Sequence, residues 1–241
     1  MAVHVFVSLI FLAAGFAQGI TGFGSALVAM PLLLLFLDAR TAVPLCMLNG
    51  LIITLFLSLQ LKRHMDWRKV LPLCLGCLPG IYVGVAFLQH ADDRLIKGLL
   101  GLMLVAYSGF MSLARPRPRQ LHPSWALLAG FGTGVIGSAF SAGGPPTIVY
   151  TTLTGWDKDS AKATLSGFFF LTGALIALAH AGIGLTTRLV LGHVACSALF
   201  VFAGVWAGSR LYARLSKAAY FRAVLLLLGL LGLTMLTAAM L

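Results

Sequence analysis

Charged residues cluster at intervals along the chain and leave long uncharged stretches between them: 1–37, 41–61, 70–91, 98–114, 120–156, 163–187, 189–209 and 223–241. Most are near the roughly 20 residues that an α-helix needs to cross a bilayer. A transmembrane β-barrel would show short alternating segments instead. The pattern predicts an all-α polytopic membrane protein. Two stretches are overlong. Residues 1–37 and 120–156 would each form a straight helix of about 55 Å, against a hydrocarbon core of about 30 Å. Each must break, and the weak helix formers lie at "GITGFGS" (19–25) and "GSAFSAGGPP" (137–146). Each half therefore reads as a broken, re-entrant helical hairpin followed by three transmembrane helices. The first half has arms at 3–18 and 24–37 and spans at 41–61, 70–89 and 94–113. The second has arms at 124–136 and 146–155 and spans at 160–181, 188–208 and 219–240.

The halves resemble each other. "AGFAQGITG" (14–22) aligns with "AGFGTGVIG" (129–137) at an offset of 115, which also puts Pro31 on Pro146. "LNGL" (48–51) matches "LSGF" (165–168), Gly80/Gly84 match Gly204/Gly208, and "RLIKGLLGLML" (94–104) matches the segment from Tyr220 to Gly232. The organisation predicted is a first transmembrane repeat at 1–114, a basic linker at 115–122 and a second repeat at 123–241. The isolated glycine pairs read as helix-packing positions. Asp38, Asp157 and Asp159 read as N-caps of the helices they precede.

Charge decides how the overlong stretches run. The chain has 17 Lys and Arg, six Asp, no Glu and a net charge of +11. If each overlong stretch crossed once, the basic residues would divide almost evenly between the two faces. If each turns back, the loops 62–69, 115–119, 158–162 and 210–222 share one face. The other face keeps only Arg40, Arg94, Lys97 and Arg188. The second arrangement obeys the positive-inside rule, which puts the basic loops in the cytoplasm and both termini outside. An odd number of net crossings per half makes the repeats inverted, as in many secondary transporters. The positive charge lies in short loops between apolar segments, so nucleic acid is not the expected partner. The lipid bilayer is. The apolar N-terminus lacks a basic leader region and reads as the first membrane segment, in a bacterial inner (plasma) membrane.

The two breaks are the candidate site. Irregular backbone at membrane depth is tolerated where it is buried in protein or lines a wet cavity. A break frees N–H groups at the start of the following half-helix, and these suit an anion. The substrate-binding candidates are Gln18, Gly19, Thr21, Gly22, Gly24 and Ser25 at the first break. At the second they are Gly137, Ser138, Ser141, Gly143, Gly144, Pro145 and Thr147. Asn49 and Ser166 are polar residues at corresponding places in the two halves. Gln18 and Asn49 serve equally well as interhelical hydrogen bonds. No Lys or Arg is expected deep in the membrane, so an anion would be held by dipoles and neutral donors. His193 lies inside a span and is a candidate proton relay, although packing is the commoner role for such a histidine. Cys74 and Cys77 form a C-x-x-C in an apolar span, the basis of an alternative reading as a membrane thiol oxidoreductase. No metal, cofactor or catalytic residue is expected.

With "QGITGFGSALVAMPLL" (18–33) and "GVIGSAFSAGGPPTIV" (134–149) in view, the chain resembles the TauE/SafE sulfite exporter family over nearly its whole length. It departs from the usual glycine cluster of the first half at Ser25 and Ala26. The resemblance implies transport of sulfur-containing anions such as sulfite, sulfoacetate or other organosulfonates, coupled to protons. The expectation is a non-enzymatic secondary transporter that exports a small sulfur oxyanion by alternating access, with a homodimer as one option for its assembly. The alternatives within transport are an anion uptake permease or a channel.

Overall fold

The computed structural model describes residues 2–113, 118–119, 121–211 and 217–240. Half of the basic linker at 115–122 and part of the 210–222 loop lie outside the described residues. Among the described residues the regular structure is helical. It comprises α1 (Ala2–Thr21), α2 (Ser25–Leu33), α3 (Ala39–Leu61), a 3-10 turn (Lys62–His64), α4 (Trp67–His90), α5 (Asp93–Leu113), α6 (Ser124–Phe140), α7 (Gly144–Thr154), α8 (Lys158–Gly182), α9 (Arg188–Leu211) and α10 (Lys217–Met240). Among the described residues, six helices are long and apolar enough to cross a membrane: α1, α3, α4, α5, α8 and α9. Exposed Leu, Phe and Val side chains on their outer faces fit a lipid environment. The all-α membrane class is what the chain adopts.

Both overlong stretches do break, but the arms differ from their expected lengths. α1 has 20 residues and α2 only nine. At 1.5 Å per residue, α1 spans about 30 Å and α2 about 14 Å. The second break is also narrower than "GSAFSAGGPP" suggests. Gly137 to Phe140 stay helical, and only Ser141 to Gly143 leave the helix. Away from water, each lost backbone hydrogen bond costs several kcal/mol, while Gly or Ser in a helix costs about 1 kcal/mol or less. The helix therefore persists through them, and the Ser138 hydroxyl donates back to the Gly134 carbonyl (2.7 Å). Proline ends the persistence. Pro145 and Pro146 lack the N–H that would continue α6, yet they fit the first turn of α7.

Three landmarks recur at one spacing. The ends of the first arms (Thr21, Phe140), the starts of the second arms (Ser25, Gly144) and the N-caps of the next helices (Asp38, Asp157) are each 119 residues apart. The offset of 115 is thus one helical turn short. A slip of four residues keeps the same helix face, so the glycine pattern still matches. Pro31 sits well inside α2, while Pro146 sits in the first turn of α7. Asp38 and Asp157 cap as expected, whereas Asp159 lies in the first turn of α8.

The packing is reciprocal. α1 packs on α9, and α4 packs on α6; α5 pairs with α10, and α3 with α8. Gly15 and Gly19 seat against the Val201 and Val205 carbonyls, and Gly204 and Gly208 against those of Leu12 and Phe16. In the other pair, Gly80 and Gly84 meet the Phe131 and Val135 carbonyls, and Gly130 and Gly134 meet those of Leu73 and Cys77. A Cβ at Gly15 or Gly19 would lie 2.6 Å from backbone oxygen. These glycines bring helix backbones into contact, which is how membrane helices associate without a hydrophobic drive between them.

Candidate functional site

The two breaks flank one cavity of about 80 Å³, walled by α1, α2, α3, α6, α7 and α8. That is room for a few water-sized groups or one small polyatomic ion. At the first break, Gly22 (φ 85°) and Gly24 (φ 93°) take left-handed conformations that other residues adopt at a cost. Together they turn the chain back within three residues. The Gln18 side chain crosses the turn, and its Oε1 accepts the Ser25 N–H (3.2 Å). At the second break the equivalent of Gly22 is Ser141, also left-handed (φ 56°). Gly24 and Gly143 are the equivalent N-caps of α2 and α7.

Seven of the candidates from the sequence line the cavity: Gln18, Gly24 and Ser25 from the first break, and Gly137, Ser141, Gly143 and Gly144 from the second. The Ser25 hydroxyl makes no hydrogen bond among the described residues. The rest lie elsewhere. Gly19 packs on α9, and Gly22 packs on the stem of Lys162. Thr21 donates to the Ala17 carbonyl. Asn49 bonds the Leu45 carbonyl and accepts from Ser197 of α9 (3.0 Å), an interhelical bond. Ser138 turns away, to the carbonyls of Gly134 and Ile81. Pro145 is buried in the first turn of α7, and Thr147 bonds Thr133. Ser166 bonds back to the Lys162 carbonyl. His193 lies against His4, with ring centroids 4.4 Å apart and planes tilted by 46°, at the far end of α1 from the break.

The side chains that line the cavity are uncharged: besides the breaks, they include Thr54 of α3, Thr133 of α6 and Thr172 of α8. Sequence reasoning missed these threonines because each sits in a regular helix and gives no local signal. The N-termini of α2 and α7 open toward the cavity, and their dipoles favour negative charge there. Free N–H groups are fewer than a bare break would supply. Gln18 already occupies the Ser25 N–H, and two of the first three residues of α7 are prolines. Of the threonine hydroxyls on the wall, those of Thr54 and Thr172 donate to carbonyls of their own helices.

Two further residues escaped the sequence reading. Lys162, assigned to a loop, is buried in the second turn of α8, and its Nζ donates to the Gly19 carbonyl (2.8 Å). His180, near the other end of α8, is fully buried, with Nε2 3.0 Å from the Ser138 carbonyl oxygen. The carbonyl can only accept, so Nε2 carries the proton. The four cysteines are free thiols; Cys77 is buried in α4 and Cys74 half-buried.

Residues 7–235 match the family described as sulfite exporter TauE/SafE. The chain belongs to that family. TauE/SafE proteins are membrane transporters, and the match takes in both hairpins and every cavity wall of this TauE/SafE chain. A 91-residue segment is 30% identical to a protein of Cupriavidus necator named "Probable sulfite/organosulfonate exporter TauE". That segment covers 36% of this chain and 35% of the relative, so the match spans about a third of the relative's length. No solved structure matches the chain.

Proposed function

We propose that this TauE/SafE chain is a secondary transporter that exports a small sulfur oxyanion, such as sulfite, sulfoacetate or another organosulfonate, across the bacterial inner membrane. The cavity between the two breaks is the substrate site. The observation that carries the reading is that both breaks, one from each half, line one cavity with no charged side chain on its wall. An oxyanion there meets two helix N-termini, the Ser25 and Ser141 side chains, and the Gln18 amide. Such a site holds an anion without a fixed counter-charge, which suits a ligand that must be released again. The size of the cavity favours a compact anion, and the name of the Cupriavidus relative supports the substrate class.

The reciprocal packing of α1 on α9 and α4 on α6 supports two inverted repeats, which rock about the central site in alternating access. The basic loops then lie in the cytoplasm, the termini lie outside, and the proton gradient drives export. Flux into proteoliposomes tests the reading. Purified protein should carry sulfite or an organosulfonate and respond to an imposed pH gradient. An absence of anion flux with or without the gradient refutes transport of this class. Net movement only down the anion gradient would make it a channel.

A further inference from the structure

α8 touches both hairpins through two buried nitrogens. Lys162 Nζ donates to the carbonyl of Gly19, and His180 Nε2 donates to that of Ser138. Gly19 and Ser138 are equivalent: each is two residues before the end of its arm, and they are 119 apart. Both carbonyls belong to a helix end, where the ladder no longer supplies a donor. Lys and His are suited to such a place, since a donor with positive character also meets the negative end of the helix dipole. Between the two, Phe169, Thr172, Gly173 and Ile176 of the same helix line the cavity. The two nitrogen-bearing residues are 18 positions apart, about 27 Å along the axis. Lys162 lies toward the 62–69 loop, since Asp66 N–H donates to Thr164 close by. His180 lies toward the turn at 183–187, where the Leu185 N–H bonds its carbonyl. At the corresponding places on α3 the chain has Val43 and Leu61, which cannot donate. Among the described residues, α3 has no counterpart of this pair.

We propose that α8 carries a latch at each end of the cavity: Lys162 holds the last turn of α1 at one face, His180 holds the last turn of α6 at the other, and transport proceeds by releasing one at a time. Both latches are made in the present structure, so the cavity is held from both ends. The latches are positioning residues, and the inference rests on the cavity being the transport pathway.

A reporter thiol tests it. A Cβ at Gly50 meets nothing within 4 Å and points into open space at the cavity wall. Gly50→Cys is placed in a background with Cys46, Cys74, Cys77 and Cys196 replaced by Ala, in sealed vesicles of either orientation. A membrane-impermeant maleimide is added to one face. Lys162→Met should raise labelling from the 62–69 face about tenfold or more, the effect of losing one hydrogen bond to a charged donor, with the other face unchanged. His180→Leu should do the reverse. Lys162→Arg and His180→Gln, which keep a donor, should label slowly from both faces. A merely structural role would not give opposite faces for the two variants. Equal rises from both faces, or no rise from either, in protein with wild-type elution and melting overturns the latch. If Lys162→Met or His180→Leu does not fold, Lys162→Leu or His180→Met, which also lack a donor, replaces it under the same criterion. Protection of the reporter by sulfite against a permeant maleimide is read separately in latch-intact protein. Its absence, with face-specific labelling retained, removes the anion site and leaves the latch.

Discussion

Gly22→Ala separates the cost of a left-handed turn from the cost of crowding Lys162. Gly22 has φ 85°, and a Cβ there would lie 2.6 Å from Lys162 Cγ and 3.2 Å from Cδ. Gly24 has φ 93°, but the nearest atom to its Cβ would be Leu27 Cδ1, at 3.7 Å. A left-handed conformation costs an L-residue about 1–2 kcal/mol, and that applies to both positions. Overpacking adds about 1–3 kcal/mol at Gly22 only. Cγ is held by the backbone on one side and by the Gly19 bond on the other, so it cannot move aside freely. Gly22→Ala should therefore destabilise by about 2–5 kcal/mol and Gly24→Ala by about 1–2 kcal/mol. Lys162→Ala removes the crowding. The double variant Gly22→Ala/Lys162→Ala should recover the extra 1–3 kcal/mol or so as a coupling energy. Reversible unfolding of detergent-solubilised protein by SDS measures all four corners of the cycle. A Gly22→Ala cost equal to that of Gly24→Ala, or a coupling below about 0.5 kcal/mol, would refute the placement of Lys162 against the first break.

Other outcomes follow from the packing and the site. Gly76→Ala drives a Cβ into the Leu127 carbonyl and should cost about 1–3 kcal/mol, whereas Gly192→Ala, with open space around it, should stabilise α9 by up to about 1 kcal/mol in the same titration. Ser138→Ala loses bonds within α6 and to α4, so it should lower stability by about 1 kcal/mol while sulfite KM stays unchanged. Ser141→Ala should raise KM several-fold, about 1 kcal/mol of binding for one hydroxyl, with stability unchanged. Asn49→Leu and Ser197→Ala should each cost about 0.6–1.7 kcal/mol and show coupling, with flux retained. Replacing Cys74 and Cys77 together with Ala should leave anion flux intact, and its loss would revive a thiol role.

The hairpins were legible because length and hydrogen bonding leave little choice. Thirty-seven uncharged residues do not fit a bilayer as one helix, and the glycines mark where the chain can turn. The break limits were less legible. Gly137 and Ser138 look like turn residues, but in a medium without water the ladder is worth more than local preference, so the helix runs on to Phe140. The repeat offset slipped by one turn for a related reason: glycines spaced by four match themselves after a four-residue shift. Thr54, Thr133 and Thr172 were illegible because a threonine inside a span looks the same whether it faces lipid, a neighbour or a cavity.

Lys162 and His180 were missed for a different reason, which concerns what a break is. Along the chain, a break is marked by the N-terminus of the second arm, with its donors and positive dipole end. Every break makes two helix ends, and the other is the C-terminus of the first arm, whose carbonyls need donors. At an exposed helix end, water or a C-capping glycine supplies what is lacking. At membrane depth neither is at hand for Gly19 or Ser138, so the donors must come from another helix. On the chain, Lys162 sits among loop charges and His180 at the edge of a span, 143 and 42 residues from the carbonyls they reach. Only the fold brings α8 alongside both arms. The carbonyl needs of α1 and α6 therefore explain why a helix that otherwise presents uncharged residues to the cavity carries a lysine near one end and a histidine near the other. A search of inverted-repeat transporters that counts unsatisfied C-terminal carbonyls at each break, and then looks for buried Lys, Arg or His within reach, should find such residues where a search for charged residues in mid-span does not.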